Sequence, residues 1–176
     1  MKPYFKWFAY ILPSLLMQVV GRLLAPVLPF FVQDDGYLPQ WLSWFQTPDN
    51  PCDGDEGHWE RNPGTDAWST YKRRMKWFWR NVAYGFDIDV IGLDIRTSDE
   101  ILLEGNPNIG DDSGISGTCT RYACRGSQLI GWQYMYVKHY SLFGWRRCVR
   151  IGAGWKLWNP TKPFKAQYWI FFNPMK

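Results

Sequence analysis

Residues Leu38–Asp55 read LPQWLSWFQTPDNPCDGD. A short apolar turn with Trp41, Leu42, Trp44 and Phe45 runs into a Pro-Asp-Asn-Pro turn and then an acidic, glycine-bearing loop. Pro39 can start a short helix over Leu38–Gln46 and Pro48 must stop it, because proline lacks the amide proton a continuing helix needs. Upstream lies the most hydrophobic part of the chain, and downstream lie a basic helix and then strands. Two kinds of periodicity meet across this stretch, and the chain reads as α+β: an apolar N-terminal helical segment, a basic amphipathic helix and a C-terminal antiparallel β meander.

Upstream, Pro3–Val32 is apolar except for Lys6, Ser14, Gln18, Gly21 and Arg22, and it is divided by Pro13, Pro26 and Pro29. A helix is expected from Pro13–Ser14 to just before Pro26. Ser14, Gln18, Arg22 and Ala25 form a narrow polar stripe at helical spacing, and Leu15, Leu16, Val19, Val20, Leu23 and Leu24 cover the rest. A transmembrane span needs about 20 nearly uncharged apolar residues, and the uninterrupted runs are shorter. A signal peptide needs a small-residue cleavage site, which Arg22 and the prolines spoil. An interfacial or re-entrant helix tolerates a polar stripe and flanking Tyr4, Lys6, Trp7 and Tyr10, so Trp7, Leu15, Leu16, Val19 and Leu23 are the expected contacts with membrane or partner. The competing expectation is burial against the protein's own sheet or an oligomer partner. The division expected is an arm over 1–32 and one α+β domain over 33–176.

Gln33–Tyr37 (QDDGY) reads as a turn. From Asp49, the loop places Asp53, Gly54, Asp55 and Glu60 at offsets resembling a calcium-binding EF-hand loop, where glycine permits the sharp turn and carboxylates converge on a divalent cation. Pro51 occupies a ligand position and no good helices flank the loop, so the plainer reading is an Asx-turn loop whose carboxylates cap backbone amides. Were the chain a metal-dependent hydrolase, Asp53, Asp55 and His58 would be where water is activated. No nucleophile elbow or zinc-helix motif accompanies them, and a non-enzymatic role is expected.

Downstream, Asp66 reads as the N-cap of a helix over Ala67–Arg80. Trp68, Tyr71, Met75, Phe78 and Val82 share one face. Lys72, Lys76 and Arg80 recur at i, i+4 on another, beside Arg73, and form a candidate headgroup surface. From Tyr84 the period changes to two, and Phe86, Ile88 and Val90 alternating with Asp87 and Asp89 predict a half-buried strand. Leu93–Ile95 and Ile101–Leu103 continue the sheet. Gly105–Gly117 is a long loop whose scattered glycines do not make a phosphate-binding loop. Leu129–Tyr140, Trp145–Trp158 and Phe164–Phe172, aromatic and β-branched with Gly or Asn-Pro breaks, read as the meander. Its interleaved Arg, Lys and aromatic residues suit single-stranded nucleic acid, but no RNA-recognition signature is present and a self-pairing sheet face is favoured.

Composition adds charge layout. The 176 residues contain 12 Trp, and the net charge of +4 hides blocks. Lys+Arg against Asp+Glu runs 3 to 0 over residues 1–32, 1 to 8 over 33–66, 5 to 0 over 67–84, 1 to 8 over 85–112, and 10 to 0 over 113–176. Such blocks either pair in the fold or leave a basic face for an anionic partner. So many aromatics exclude disorder for most of the chain. Cys119 and Cys124 could join Cys148 and one of His58, His139 or Cys52 around zinc, but the two-pair spacing is absent, so free, partly buried thiols are the plainer reading.

The runs YLPQWLSWFQTPDNPCDGDEG, YKRRMKWFWRNVAYGF and GWKLWNPTKPFKAQYWIFFNP, spanning Tyr37 to Pro174, resemble an uncharacterised family of small tailed-bacteriophage and prophage proteins. The most specific pieces are LPxWLxWFQTPDN and RNxAYGF, with Val82 at a position associated with Pro. The resemblance implies a phage origin and carries no catalytic residue. The expected function is a non-enzymatic protein on the cytoplasmic side of the host inner membrane, where Lys and Arg tend to stay. It would bind a host or phage protein, with an anionic membrane surface and its own copies as further partners. The alternative is a virion or assembly component whose arm is buried between subunits.

Overall fold

The structure is a computed structural model, describing residues 2–111, 113–158 and 163–172, the last stretch without the Phe171 side chain. The Asn-Pro break at 159–160, Asp112 in the long loop, and the last Asn-Pro of the third quoted run lie outside these. The chain is α+β, with helices α1 (Pro3–Leu24), α2 (Glu56–Arg61), α3 (Ala67–Arg80) and α4 (Tyr84–Asp89). Strands β1 (Glu100–Gly105), β2 (Gly117–Arg125), β3 (Gln128–Leu142), β4 (Trp145–Trp155) and β5 (Ala166–Phe172) follow. Two compact units form: residues Met1–Ile11 with Gly92–Lys176, and Leu12–Ile91. The division falls inside α1 rather than at residue 32.

In the unit containing the sheet, five strands pair antiparallel in the order β1-β2-β3-β4-β5, an uninterrupted meander. Leu93 adds a single antiparallel bridge to Phe164. Strand β2 belongs to the meander although the sequence reading passed over it; its signal is the alternation of buried Cys119, Arg121 and Ala123 with less buried neighbours. Opposite them on β3, Met135 pairs Cys119 and Gln133 pairs Arg121. With Ile109 and Val137, Cys119 and Met135 form a small core. The arginine on this face is buried because its Nη1 donates to Gln133 Oε1 at 3.1 Å. Trp7 of α1 stacks on Tyr168 at 5.0 Å, lies edge-on to Trp132 at 5.2 Å, and donates from its indole N–H to the Gln167 carbonyl. At the far end of β3–β4 the strands continue as a two-stranded ribbon turned by Phe143 and Gly144, both with positive φ.

The other unit is helical. Helix α1 starts ten residues earlier than expected and contains Pro13. A proline inside a helix forfeits one backbone hydrogen bond, a loss that 22 residues of otherwise continuous helix absorb. The core is Ala25, Leu28, Leu38, Leu42, Phe45, Cys52 and Phe78. Gln40–Phe45 is a 3-10 helix, in which side chains three apart eclipse. Leu42 and Phe45 therefore fill the core while Trp41 and Trp44 share the outer edge and are exposed.

The strand expected at Phe86–Val90 is instead α4. Gly85, Phe86, Asp87 and Ile88 are buried consecutively and only Asp89 and Val90 are exposed, so burial does not alternate as it would along a half-buried strand. Ala83 takes a left-handed turn (φ +51) into this helix, and Gly85 packs so closely that an added Cβ would collide with the Ser43 carbonyl and lie 3.0 Å from the Trp44 Cα. The RNxAYGF run is thus a tight connection from α3 back onto the 3-10 helix.

Candidate functional site

The acidic loop folds into a structural junction. The Asp53 carboxylate accepts from Arg73 Nη2 at 2.9 Å, from Arg74 Nε at 3.1 Å and from Arg74 Nη2 at 2.9 Å. Arg73 is 2% exposed; its Nη1 donates to the Gly64 carbonyl at 2.7 Å and its guanidinium lies 3.5 Å from the Trp59 ring centroid. Burial on its own would raise the Asp53 pKa, but the hydrogen bonds from Arg74 and Arg73 outweigh it and hold the carboxyl below its ordinary value. Asp55 is the N-cap of α2 and accepts from the His58 amide at 2.8 Å. His58 is buried against Trp77, with Nε2 3.0 Å from the Arg73 carbonyl, an arrangement in which that nitrogen carries the proton. Burial lowers its pKa.

These positions correct the cation-binding reading of Asp49, Asp53, Asp55 and Glu60. Asp53 is taken up by two guanidinium groups, Asp55 by a helix N-terminus, and Asp49 and Glu60 are exposed. Among the described residues no three His, Cys, Asp or Glu side chains converge to hold a metal ion. The hydrolase trio of Asp53, Asp55 and His58 is likewise dispersed into separate structural tasks. Cys52 sits in the helical core, where burial pushes its thiol up to about 12.

Helix α1 carries the more informative pattern. Among residues 12–25, Ser14, Gly21 and Ala25 are buried and Gln18 is half-buried. Ser14 Oγ donates to the buried Asp87 carboxylate at 2.8 Å, and Gln18 Nε2 donates to Ser14 Oγ at 3.3 Å. Gly21 lies against Val82 and Phe45, with no room for a Cβ. Leu12, Leu15, Leu16, Val19, Val20 and Leu23 point outward, Leu16 at 58% and Leu23 at 73% exposure. Ser14, Gln18, Gly21 and Ala25 thus face the protein together with Met17 and Leu24, which pack on the core, while the exposed side carries Arg22 among mostly apolar residues, an unusual surface for a helix in contact with water. By length and composition α1 is able to cross a membrane, and only 11% of its most apolar window is buried.

Further exposed aromatics lie elsewhere in the same unit. Phe31 lies edge-on to Trp41 at 5.7 Å, while Phe30 packs on Tyr71 at 5.4 Å and Tyr71 stacks on Trp68 at 5.3 Å. Phe30 and Trp41 are at least 70% exposed. The short helix expected over Leu38–Gln46 forms as a 3-10 helix, whose i, i+3 spacing puts Trp41 and Trp44 on one side.

Of the residues expected to meet membrane or partner, Leu15, Leu16, Val19 and Leu23 are gathered on one outward face. Trp7 is a correction, because its ring and N–H are engaged by the sheet. Lys72, Lys76 and Arg80 are exposed along α3. Lys72 lies over Trp68 and Arg80 over Trp77, and Lys76 donates to Asn62 Oδ1 at 2.7 Å. Arg73, expected beside them on the basic side, is instead turned into the junction on Asp53.

Fold and surface together define an α+β protein with an outward-facing apolar helix. The sequence profile of a family of unknown function (DUF7338) matches residues 1–176, and the chain belongs to that family. No curated protein matches the sequence, and no solved structure matches the fold.

Proposed function

We propose that the protein works at a membrane as a binding protein rather than an enzyme, with the outer face of α1 and the aromatic edge seated in the headgroup and upper acyl region. The observation that carries this is the mostly apolar exposed side of α1. Ser14, Gln18, Gly21 and Ala25 face inward and Leu12, Leu15, Leu16, Val19 and Leu23 face outward. Fully burying a Leu or Val side chain is worth about 1.5–3 kcal/mol. Five or six half-exposed ones therefore leave several kcal/mol available to a lipid interior. Exposed Trp41, Trp44 and Trp68 have the amphipathic rings that settle at headgroup depth. Lys72, Lys76 and Arg80 suit an anionic leaflet and hence the cytoplasmic side of the inner membrane. The setting, a phage protein acting on a host or phage protein, rests on the motif resemblance in Tyr37–Pro174.

Fractionation tests the reading. The tagged chain is expressed alone in bacteria, and membranes are washed with high salt and with carbonate. Retention that survives salt is expected, with release by carbonate marking an interfacial protein and resistance to it an embedded one. Recovery as a defined soluble oligomer would overturn the membrane reading in favour of a virion or assembly component with the helix covered by other subunits.

A further inference from the structure

Between the end of α2 and the outer side of α3 lies a polar cavity of about 200 Å³ lined by Arg61, Asn62, Ser69, Lys72, Arg73 and Lys76. No acidic side chain lines it. Among the described residues Arg61, Lys72 and Lys76 take part in no ion pair, and Asp53 is shared between Arg73 and Arg74. One carboxylate against two guanidinium groups leaves that junction with a net positive charge behind the cavity. Asp66 does not line the cavity; its carboxylate accepts from the Trp68 and Ser69 amides at 3.1 and 3.0 Å and from the Ser69 side chain. Glu60 beside Arg61 is exposed and does not line the space.

The donors are partly held in place. Arg73 is nearly fully buried and fixed by Asp53 and the Gly64 carbonyl. Lys76 is tethered to Asn62 Oδ1, and the Lys72 ammonium is drawn over the Trp68 ring at 5.6 Å. Three like charges around one small polar hollow repel one another, an unfavourable arrangement that an anion with several acceptor oxygens would relieve. A carboxylate offers two such oxygens, whereas a phosphate group offers three or more and carries up to two charges. The geometry points to a phosphate-group site at this cavity, built from Arg61, Lys72 and Lys76. It goes beyond the membrane reading and does not depend on it. The phosphate belongs either to a phospholipid headgroup or to a soluble phosphate.

The test uses the purified full chain in three arms: titration with inorganic phosphate by calorimetry, sedimentation with phosphatidylglycerol vesicles, and sedimentation with neutral phosphatidylcholine vesicles. Each is run on the native chain, on Lys72→Gln/Lys76→Gln, on Lys72→Arg/Lys76→Arg, and on Arg146→Gln/Arg147→Gln, which removes the same charge elsewhere. Phosphate binding that weakens at least tenfold in Lys72→Gln/Lys76→Gln and is kept by the other two variants supports the site and identifies a soluble phosphate. The same variant pattern on phosphatidylglycerol vesicles alone supports it and identifies a headgroup. Equal weakening by Arg146→Gln/Arg147→Gln, or no dependence on Lys72 and Lys76 in either anionic arm, overturns it. Binding to neutral vesicles reports the apolar helix separately, so failure of the membrane reading shows there and leaves the phosphate titration to stand or fall by itself.

Discussion

Ser14 donates from its hydroxyl to the carboxylate of Asp87 at 2.8 Å, and neither side chain reaches solvent. This bond ties the inward stripe of α1 to α4 within the helical unit. A buried carboxylate that loses a donor is left under-satisfied, at a cost of about 1–3 kcal/mol. Ser14→Ala is expected to lower stability by that amount in chemical denaturation, while Ser14→Thr retains the hydroxyl at some steric cost.

The opposite face of the same helix behaves differently. Leu16 and Val19 are more than half exposed. Replacing both with Ser removes little from the folded core, so stability should change by about 0.5 kcal/mol or less. Membrane retention should fall sharply in the same variant. A large loss of stability with unchanged retention would show that these side chains are covered by protein.

Asp53 holds two arginines, one of them buried. Removing one member of such a cluster strands the others, and Asp53→Ala should cost about 3–5 kcal/mol. Asp55→Ala removes only a helix cap and should cost about 1 kcal/mol. A metal site would make the two losses similar and raise Tm when calcium is added; the expected result is unequal losses and no calcium effect.

Phe143 is 92% exposed and sits at φ +52 in the β3–β4 turn. A side chain there strains the backbone without burying area, so Phe143→Gly or Phe143→Asn should leave stability unchanged or raise it by about 1 kcal/mol. Thermal melts of the two variants check this.

Asp99 accepts twice from Arg125 at 2.8 Å, and these bonds lower its pKa from 3.8 to about 2. A carboxyl depressed in the fold binds its proton less readily there than in the unfolded chain. Its contribution is therefore complete above about pH 4 and is lost as pH falls toward 2. Asp99→Asn should flatten the stability profile in that window and leave the profile above it parallel to the native one.

Local chemistry made several elements legible. Asp66 as an N-cap, the extent of Ala67–Arg80, the break imposed by Pro48, and the aromatic strands of the meander all depend on a residue and its near neighbours, and all stand as read. Tertiary context decided the rest. Phe86, Ile88 and Val90 alternate with Asp87 and Asp89 as in a strand, yet Gly85 packs closely on Ser43 and Asp87 is buried while Val90 is exposed, so the alternation in sequence does not correspond to an inner and an outer face. The carboxylates of Asp49–Glu60 have the offsets of a cation loop, but offsets say nothing of Arg73 and Arg74 arriving from twenty residues away to neutralise Asp53. Of the stripe read in the sequence, Ser14, Gln18 and Ala25 do share the covered side of α1, but Arg22 is exposed and Gly21 takes its place. Ser14 meets the buried Asp87, 73 residues distant, Gly21 packs on Val82 and Phe45, and Met17 and Leu24 pack on the core, so contacts far along the chain decide which side of α1 is covered and leave Leu15, Leu16, Val19 and Leu23 exposed.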